Sequence, residues 1–313
     1  MSSSFFLSSL AILGWIAAGA VLRTLVSRHT SSAFSTLFNR WFATAVIFAV
    51  VPFYMGTLIW QNGIPATDGT IIGIVVLAML GIGYPVSRAV APSAGISVRE
   101  AYLPLAVMNT LYLGVPVTQS FVGASAVRYT IIYSVLLTVV QFAVVVPVIA
   151  PRTGLRFALS PMVWLSAAGW ILWLRGVEVP AAVVVAKDAV GLVVSPVMLL
   201  FIGFSLPPAS LLSQVWMHIG VTVFCRMVTG LTVAAMALAL LKRFFIPAMD
   251  DGLIRSVLFV SALPSAIVNF VIHEAAGLDT RFTAGQLVWG TLVTVIALPL
   301  ISEVVDILSM WLW

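Results

Sequence analysis

Ten apolar runs follow one another along the chain, and short connections between them hold most of the charged residues. A helix needs roughly 20 apolar residues to cross a bilayer, so each run predicts one membrane-spanning helix. The expected fold is therefore an all-α integral membrane protein with ten transmembrane helices. The runs, numbered 1 to 10 in chain order, cover residues 4–26, 38–60, 69–91, 102–123, 127–150, 160–176, 184–206, 215–241, 253–276 and 284–306.

Runs 4 and 9 each contain a proline and several polar side chains, which plain lipid-facing helices lack. In lipid an unpaired backbone group is costly, so a broken helix is tolerated only where protein or a wet cavity surrounds the break. Two such helices in corresponding halves of a chain indicate a transporter binding site near the middle of the membrane. The alternative is a pair of proline kinks whose polar neighbours join helices to one another. The residues concerned are Asn109, Pro116 and Gln119 in residues 104–123, and Pro264, Ser265 and Asn269 in residues 257–276.

The half-helices that follow the two prolines are candidate anion sites. A helix start offers free N–H groups and the positive end of the helix dipole. We expect Thr118, Gln119 and Ser120 to lie at the start of the half-helix after Pro116, where a carboxylate would bind. Asn109 and Asn269 are expected to face one another across the two breaks and to contact substrate or a bound water.

Landmark residues recur in the same order in the two halves of the chain. Because each copy holds five helices, an odd number, the second copy enters the membrane from the opposite side. The sequence therefore predicts two inverted five-helix repeats, residues 1–150 and 151–313, although proline and glycine are common in membrane helices in any case. The proline pairs are Pro52 and Pro196, Pro116 and Pro264, and Pro147 and Pro299, at offsets of 144, 148 and 152.

The composition excludes a water-soluble fold, since 62% of residues are hydrophobic and 8% are charged, against about 25% charged in soluble domains. The net charge of +5 comes from basic residues in the connections, where they indicate topology and not nucleic-acid binding. The single cysteine, Cys225, excludes an intramolecular disulfide and a cysteine metal cluster. Phosphate-binding loops and hydrolase motifs are missing from the sequence, so we expect no enzyme activity, cofactor or metal.

Basic residues in the first half favour one orientation in the membrane. Arg23, Arg28 and most other first-half arginines fall on one face, which predicts that this face is cytoplasmic and that both termini are outside. Second-half basic residues such as Lys242 favour the opposite orientation. Early helices usually set orientation, so we expect a multi-pass protein of the inner (plasma) membrane with external termini.

Arg226 is the one basic residue in the middle of an apolar run. A charge near the bilayer centre costs roughly 3 kcal/mol, so Arg226 must face the protein interior or water. It is either an anion-binding group or a paired structural charge, and the lack of an equally deep acidic residue favours the first. His273 and Glu274 lie about 14 Å of helix rise beyond Pro264, where an interfacial helix end is expected and a proton relay is the alternative.

Three motifs resemble the auxin efflux carrier family, which includes bacterial malonate-type permeases and the plant PIN-formed auxin carriers. They are NTLYLGVPV at 109–117, PVMLLFIGFSL at 196–206 and LPSAIVNFVIHEAAGLD at 263–279. The resemblance implies the broad fold of bile acid:sodium symporters. Helices 1, 2, 6 and 7 would form a scaffold, and helices 3–5 and 8–10 a moving transport domain in which helices 4 and 9 cross.

Residue by residue, the resemblance implies that Asn109, Pro116, Pro264 and Asn269 occupy the crossover positions. The short connection between helices 5 and 6 lacks the long hydrophilic loop of many plant members. This departure argues for a prokaryote-like permease and weakens a specific claim for auxin.

The expected function is secondary transport of small organic anions by elevator-type alternating access. The expected partners are the anion, the lipid bilayer, a coupling proton or sodium ion and a second copy bound through the scaffold; nucleic acid is not expected. A membrane scaffold or sensor subunit that moves nothing is the alternative, and a channel is less consistent because filter segments are missing. The expected substrate-binding residues are Asn109, Pro116, Gln119, Pro264, Ser265, Asn269 and Arg226.

Overall fold

The computed structural model describes residues 3–29, 41, 45–150, 159–205 and 216–312. Within these residues the fold is all-helical. In this described part of the chain, four helices are long and apolar enough to cross a membrane. They span Ala66–Val90, Ala124–Ile149, Ile219–Phe244 and Arg281–Leu312.

A helical segment lies at the position of each apolar run, and runs 4 and 9 are each divided into two helices. Short π-helical turns, Val46–Val50 and Gln141–Val145, precede α2 and α7, and a 3-10 turn, Ala124–Ala126, precedes α6. The α-helices are α1 Ser3–His29, α2 Val51–Asn62, α3 Ala66–Val90, α4 Val98–Ala106, α5 Gly114–Phe121, α6 Val127–Val140, α7 Val146–Ile149, α8 Pro161–Leu174, α9 Ala181–Ser205, α10 Trp216–Phe244, α11 Asp251–Ser261, α12 Ile267–Ala276 and α13 Arg281–Leu312.

Local sequence signals fix where the divided helices begin. The Ser97 hydroxyl accepts a hydrogen bond from the Glu100 N–H, and the Glu100 carboxylate accepts one from the Ser97 N–H, which forms a capping box at the start of α4. The Asp250 carboxylate accepts a hydrogen bond from the Leu253 N–H at 3.1 Å and caps α11. Both starts are therefore encoded by residues next to the helix.

Glycines bring the helices of runs 1, 2, 6 and 7 into close contact. Helix α1 packs on α9, and α2 packs on α8. A Cβ atom built on Gly203 would lie 1.8 Å from the Ile16 carbonyl oxygen, and one on Gly169 would lie 2.2 Å from the Gly56 carbonyl oxygen. Only residues without a side chain permit this approach, which is typical of helix packing in membranes.

The remaining helices form a second group. Helix α3 packs on α4, α6 and α10, and α10 packs on α11 and α13. The outer surface of the protein carries large apolar side chains, such as Leu192 on α9, which is 82% exposed, and Val148 on α7, which is 71% exposed. Such a surface is compatible with contact to lipid.

Candidate functional site

The two divided helices meet at their interruptions. Residues 107–113 separate α4 from α5, and residues 262–266 separate α11 from α12. Met108 and Ser265 form an antiparallel β-bridge. The Asn109 N–H donates to the Pro264 carbonyl at 2.8 Å, and the Ala266 N–H donates to the Val107 carbonyl at 3.1 Å. Each unwound backbone therefore supplies hydrogen bonds that the other has lost, so the two breaks can be buried together. We call these paired breaks the crossing.

The break in run 4 precedes Pro116, whereas the sequence suggested a break at that proline. Helix α5 already begins at Gly114, so Pro116 lies in its first turn and is buried. First-turn N–H groups have no partner within the helix, so a residue without an N–H fits there without loss. The expectation that Thr118 and Gln119 open this helix is also wrong. The Thr118 hydroxyl is hydrogen bonded to the Thr130 hydroxyl at 2.6 Å, and Gln119 is exposed.

The crossing does not place Asn109 and Asn269 in equivalent positions. The local two-fold axis of the bridge relates residues 108 and 265, and therefore Asn109 and Ala266. These pairs are 157 residues apart, whereas Pro116 and Pro264 are 148 apart. The proline spacing therefore does not give the spacing of equivalent positions in the crossing.

Asn269 joins the two divided helices through its side chain, which is fully buried. Its Nδ2 donates to the carbonyls of Leu103 and Val107 at 3.1 and 2.9 Å, and lies 3.1 Å from the Ser265 hydroxyl. Its Oδ1 accepts a hydrogen bond from Gln141 Nε2 at 3.1 Å. The amide thus caps the C-terminal end of α4 from α12.

Gln141 is a site residue that the sequence analysis missed. It is 2% exposed and opens the π-helical turn between α6 and α7. Single π-turns inside helices are frequent at functional sites. A lone amide within the apolar run QFAVV was the available signal.

Asn109 differs from Asn269 because its side chain lacks a partner. The residue is 1% exposed, and its Nδ2 makes no hydrogen bond. The Asn109 carbonyl accepts a hydrogen bond from the Gly114 N–H at 3.1 Å, so the backbone holds this residue just ahead of α5. An unpaired buried donor thus lies beside the positive end of a helix.

Arg226 lies on α10 and is 1% exposed, as expected for a charge in the middle of an apolar run. Its Nη1 donates to the carbonyl of Ser261 at 3.2 Å. Ser261 ends α11, so the cation lies at the negative end of a helix dipole, three residues before Pro264. The structural role considered for this residue is therefore present, and it uses one of the three guanidinium nitrogens.

The other two guanidinium nitrogens of Arg226, Nε and Nη2, are buried and make no hydrogen bond. They form one edge of the planar group, the edge that binds a carboxylate through two parallel N–H···O bonds. The Ser261 hydroxyl lies 3.3 Å from the Tyr133 hydroxyl, so polar groups from α6, α10 and α11 meet at this point. The arrangement presents two parallel N–H donors of the kind that a planar anion accepts.

His273 lies in the last turn of α12, so the expected helix end is present, but its side chain does not extend into water. Its side chain is fully buried, and its Nδ1 is 2.6 Å from the Thr283 hydroxyl of α13. Helices α4 and α13 both pack on α12 and cover the ring. Depth along a helix, which the sequence gives, is therefore a poor guide to burial in a bundle.

Charged groups beyond the end of α12 tie it to the start of α4. The Glu100 carboxylate accepts a hydrogen bond from the Asp279 N–H at 3.2 Å. The Arg281 side chain, hydrogen bonded to the Asp279 carboxylate, holds the pKa of Asp279 below its usual range. In the described parts of the chain, no cluster of three or more His, Cys, Asp or Glu residues could hold a metal ion.

The structure thus brings together most of the predicted site residues. Asn109, Pro264, Ser265 and Asn269 meet at the crossing, and Arg226 reaches the helix end next to it. No family model matches the chain, and no curated protein matches it. Membership of the auxin efflux carrier family therefore stays a prediction from the three motifs.

Proposed function

We propose that the protein is a secondary transporter of small organic anions that binds a carboxylate at the open edge of Arg226. The observation that supports this most is the pair of buried, unpartnered nitrogens on one edge of that guanidinium. A guanidinium cannot shed its proton near neutral pH, so the charge must be compensated in place. Among the described residues, the buried charged or titratable side chains other than tyrosine are Arg226 and His273, and neither is acidic. An anionic ligand is the natural partner.

The proposed fold is ten transmembrane helices in two inverted repeats. In support, runs 1 to 5 can be matched in order with runs 6 to 10, and the main helix contacts of one half then have counterparts in the other. The contact of α1 with α9 then becomes that of α8 with α2. Likewise α3 with α4 becomes α10 with α11, and α3 with α6 becomes α10 with α13. Inverted repeats are a common architecture of secondary transporters with midplane sites.

The proposed mechanism is an elevator-type movement of one helix group against the other. Helices α1, α2, α8 and α9 form the scaffold, and the helices that build the crossing and Arg226 form the transport domain. Tight glycine contacts join the scaffold pairs, while hydrogen bonds across the crossing and the close contact of Gly230 with Ser261 join helices of the transport domain. Each group therefore has its own internal cohesion, which a rigid-body movement requires.

Uptake into proteoliposomes tests this function. Purified protein is reconstituted and loaded with unlabelled lactate, malonate, succinate or indole-3-acetate, and counterflow of the same labelled carboxylate is measured. We expect at least one member of this panel to accumulate above protein-free liposomes, and Arg226→Gln to abolish that accumulation. No counterflow of any member by folded protein would favour the scaffold or sensor alternative.

In the proposed orientation both termini lie on the side of the inner membrane that faces away from the cytoplasm. With Cys225 replaced by serine, single cysteines are introduced as Ser3→Cys and, in the connection between runs 5 and 6, Thr153→Cys. Thr153 lies outside the described residues. An impermeant maleimide should label intact cells carrying only the first variant, as the first-half arginines predict. Labelling of only the second would show that second-half charges set the topology.

A further inference from the structure

His273 is a buried histidine that the proposed anion site does not use. It lies on α12 four residues after Asn269, which in turn follows Ser265 of the second break by four residues, and all three side chains are fully buried. One ring nitrogen, Nδ1, is 2.6 Å from the Thr283 hydroxyl. The other, Nε2, is buried and has no hydrogen-bond partner.

The helices that cover His273 carry few charges near it. From α4, the carboxylate of Glu100 faces this region and is hydrogen bonded to Ser97 and to the Asp279 N–H, and Arg99 on the same helix is exposed. From α13, Arg281 is paired with Asp279, and Thr283 is uncharged. On α12 itself the other ionisable residue is Glu274, whose side chain is not described. Glu100 is therefore the acidic group on a covering helix that can favour a proton on the ring.

His273 is also chemically distinct among the buried residues. Arg226 keeps its proton at any physiological pH, and tyrosines titrate near pH 10. Of the buried side chains in the described parts of the chain, only an imidazole can gain and lose a proton between pH 5 and 8. An unpartnered ring nitrogen gives that proton a place to bind.

We infer that His273 is a proton-binding site, occupied by one proton when an anion is bound at the edge of Arg226. This inference rests on the proposed function and adds the coupling ion to it. The proton adds to the unprotonated ring nitrogen, no other bond forms or breaks, and a bound monoanion is thereby balanced by one added positive charge. Helix α12 rises about 9 Å from its start beside the second break to His273, and the proposed anion lies beyond that break, so the two charges interact through protein and not through bulk water.

The interaction predicts the direction of a pH dependence. At an effective dielectric constant of about 20, opposite charges roughly 15 Å apart favour each other enough to change an affinity severalfold. Because linkage is reciprocal, anion binding should tighten as the pH falls. We therefore expect lactate or another bound member of the carboxylate panel to bind more tightly at pH 5 than at pH 7.

Calorimetry of the purified full-length protein tests the inference. Binding enthalpies measured in buffers of different ionisation enthalpy give the number of protons taken up per lactate bound between pH 5 and 7, where lactate itself stays largely ionised. Wild type should take up a measurable fraction of one proton. His273→Gln and His273→Asn should take up none, and His218→Gln, a change on another helix, should behave as wild type.

Two failures are distinguishable. If lactate or another panel carboxylate binds wild type without proton uptake, or if His273→Gln keeps the wild-type uptake, the proton site is overturned and the anion site stands. If no panel member binds folded wild type, the proposed function and this inference both fall.

Discussion

The two breaks of the crossing are alike in backbone and different in side chains. Each donates one N–H and accepts one N–H across the same β-bridge. At the second break Asn269 uses both ends of its amide on protein groups, whereas at the first break the Asn109 Nδ2 has no partner. The backbone pairing is thus common to both halves, and the second half supplies the side chains that hold the crossing together.

This difference separates structural from ligand-binding roles. A buried amide whose hydrogen bonds are all made to protein has little left to offer a substrate, while an unpaired buried donor costs free energy unless something binds it. Asn269 is therefore best described as a clamp between α12 and α4. Asn109 and the open edge of Arg226 are the groups available to a ligand.

The largest effect is expected from removing the clamp. Asn269→Ala leaves the buried carbonyls of Leu103 and Val107 without their side-chain donor and should cost about 3 kcal/mol, or roughly 5–10 °C in Tm. Asn109→Ala removes no hydrogen bond and should change Tm by less than about 2 °C. Thermal unfolding of both variants in the same detergent is the measurement. Equal losses would show that the two breaks do not differ as described.

The next largest loss of stability is expected at Gly230, and Gly114 serves as the control. A Cβ on Gly230 would lie 1.9 Å from the Ser261 carbonyl and 2.6 Å from Arg226 Nη1, whereas one on Gly114 would have its nearest neighbour at 3.2 Å. Gly230→Ala should therefore cost about 2 kcal/mol through overpacking and displace the guanidinium. Gly114→Ala should cost less than about 0.5 kcal/mol. Comparable Tm values for the two variants would contradict the close packing at the second break.

The smallest effect concerns the amide that orients the clamp. Gln141→Leu removes one hydrogen bond to Asn269 Oδ1 and should cost about 1 kcal/mol. In an Asn269→Ala background the same change should cost almost nothing, because its partner is gone. A double-mutant cycle of unfolding temperatures gives the comparison, and strict additivity would mean that Gln141 acts elsewhere.

The lengths of the apolar runs and the polar residues within them predicted where helices form and which of them are divided. A helical segment occurs at each apolar run, and the two runs rich in polar residues are the divided ones. The exact break in run 4 was not predictable from Pro116, because a proline fits the first turn of a helix as well as it breaks one. Pro264, in contrast, does lie within a break.

The sequence indicated which residues belong to the site, but it indicated the role of each residue less well. Arg226 was recognisable as an interior charge because its cost in lipid is high. The clamp role of Asn269 depends on carbonyls more than 160 residues away, which local spacing does not encode. The burial of His273 likewise depends on α4 and α13, which pack on α12 but are distant from it in the sequence.

The central claim is that the open edge of Arg226 binds a carboxylate, and affinity measured beside stability tests it most directly. Using the carboxylate that binds wild type best in the panel, Kd and Tm are measured for wild type, Arg226→Gln and Arg226→Lys. The account predicts that Arg226→Gln weakens binding by on the order of 2–3 kcal/mol, or about 30- to 150-fold, at a Tm within a few degrees of wild type, with Arg226→Lys between the two. Unchanged affinity together with a large loss of Tm would show that Arg226 only caps α11, and would contradict the account.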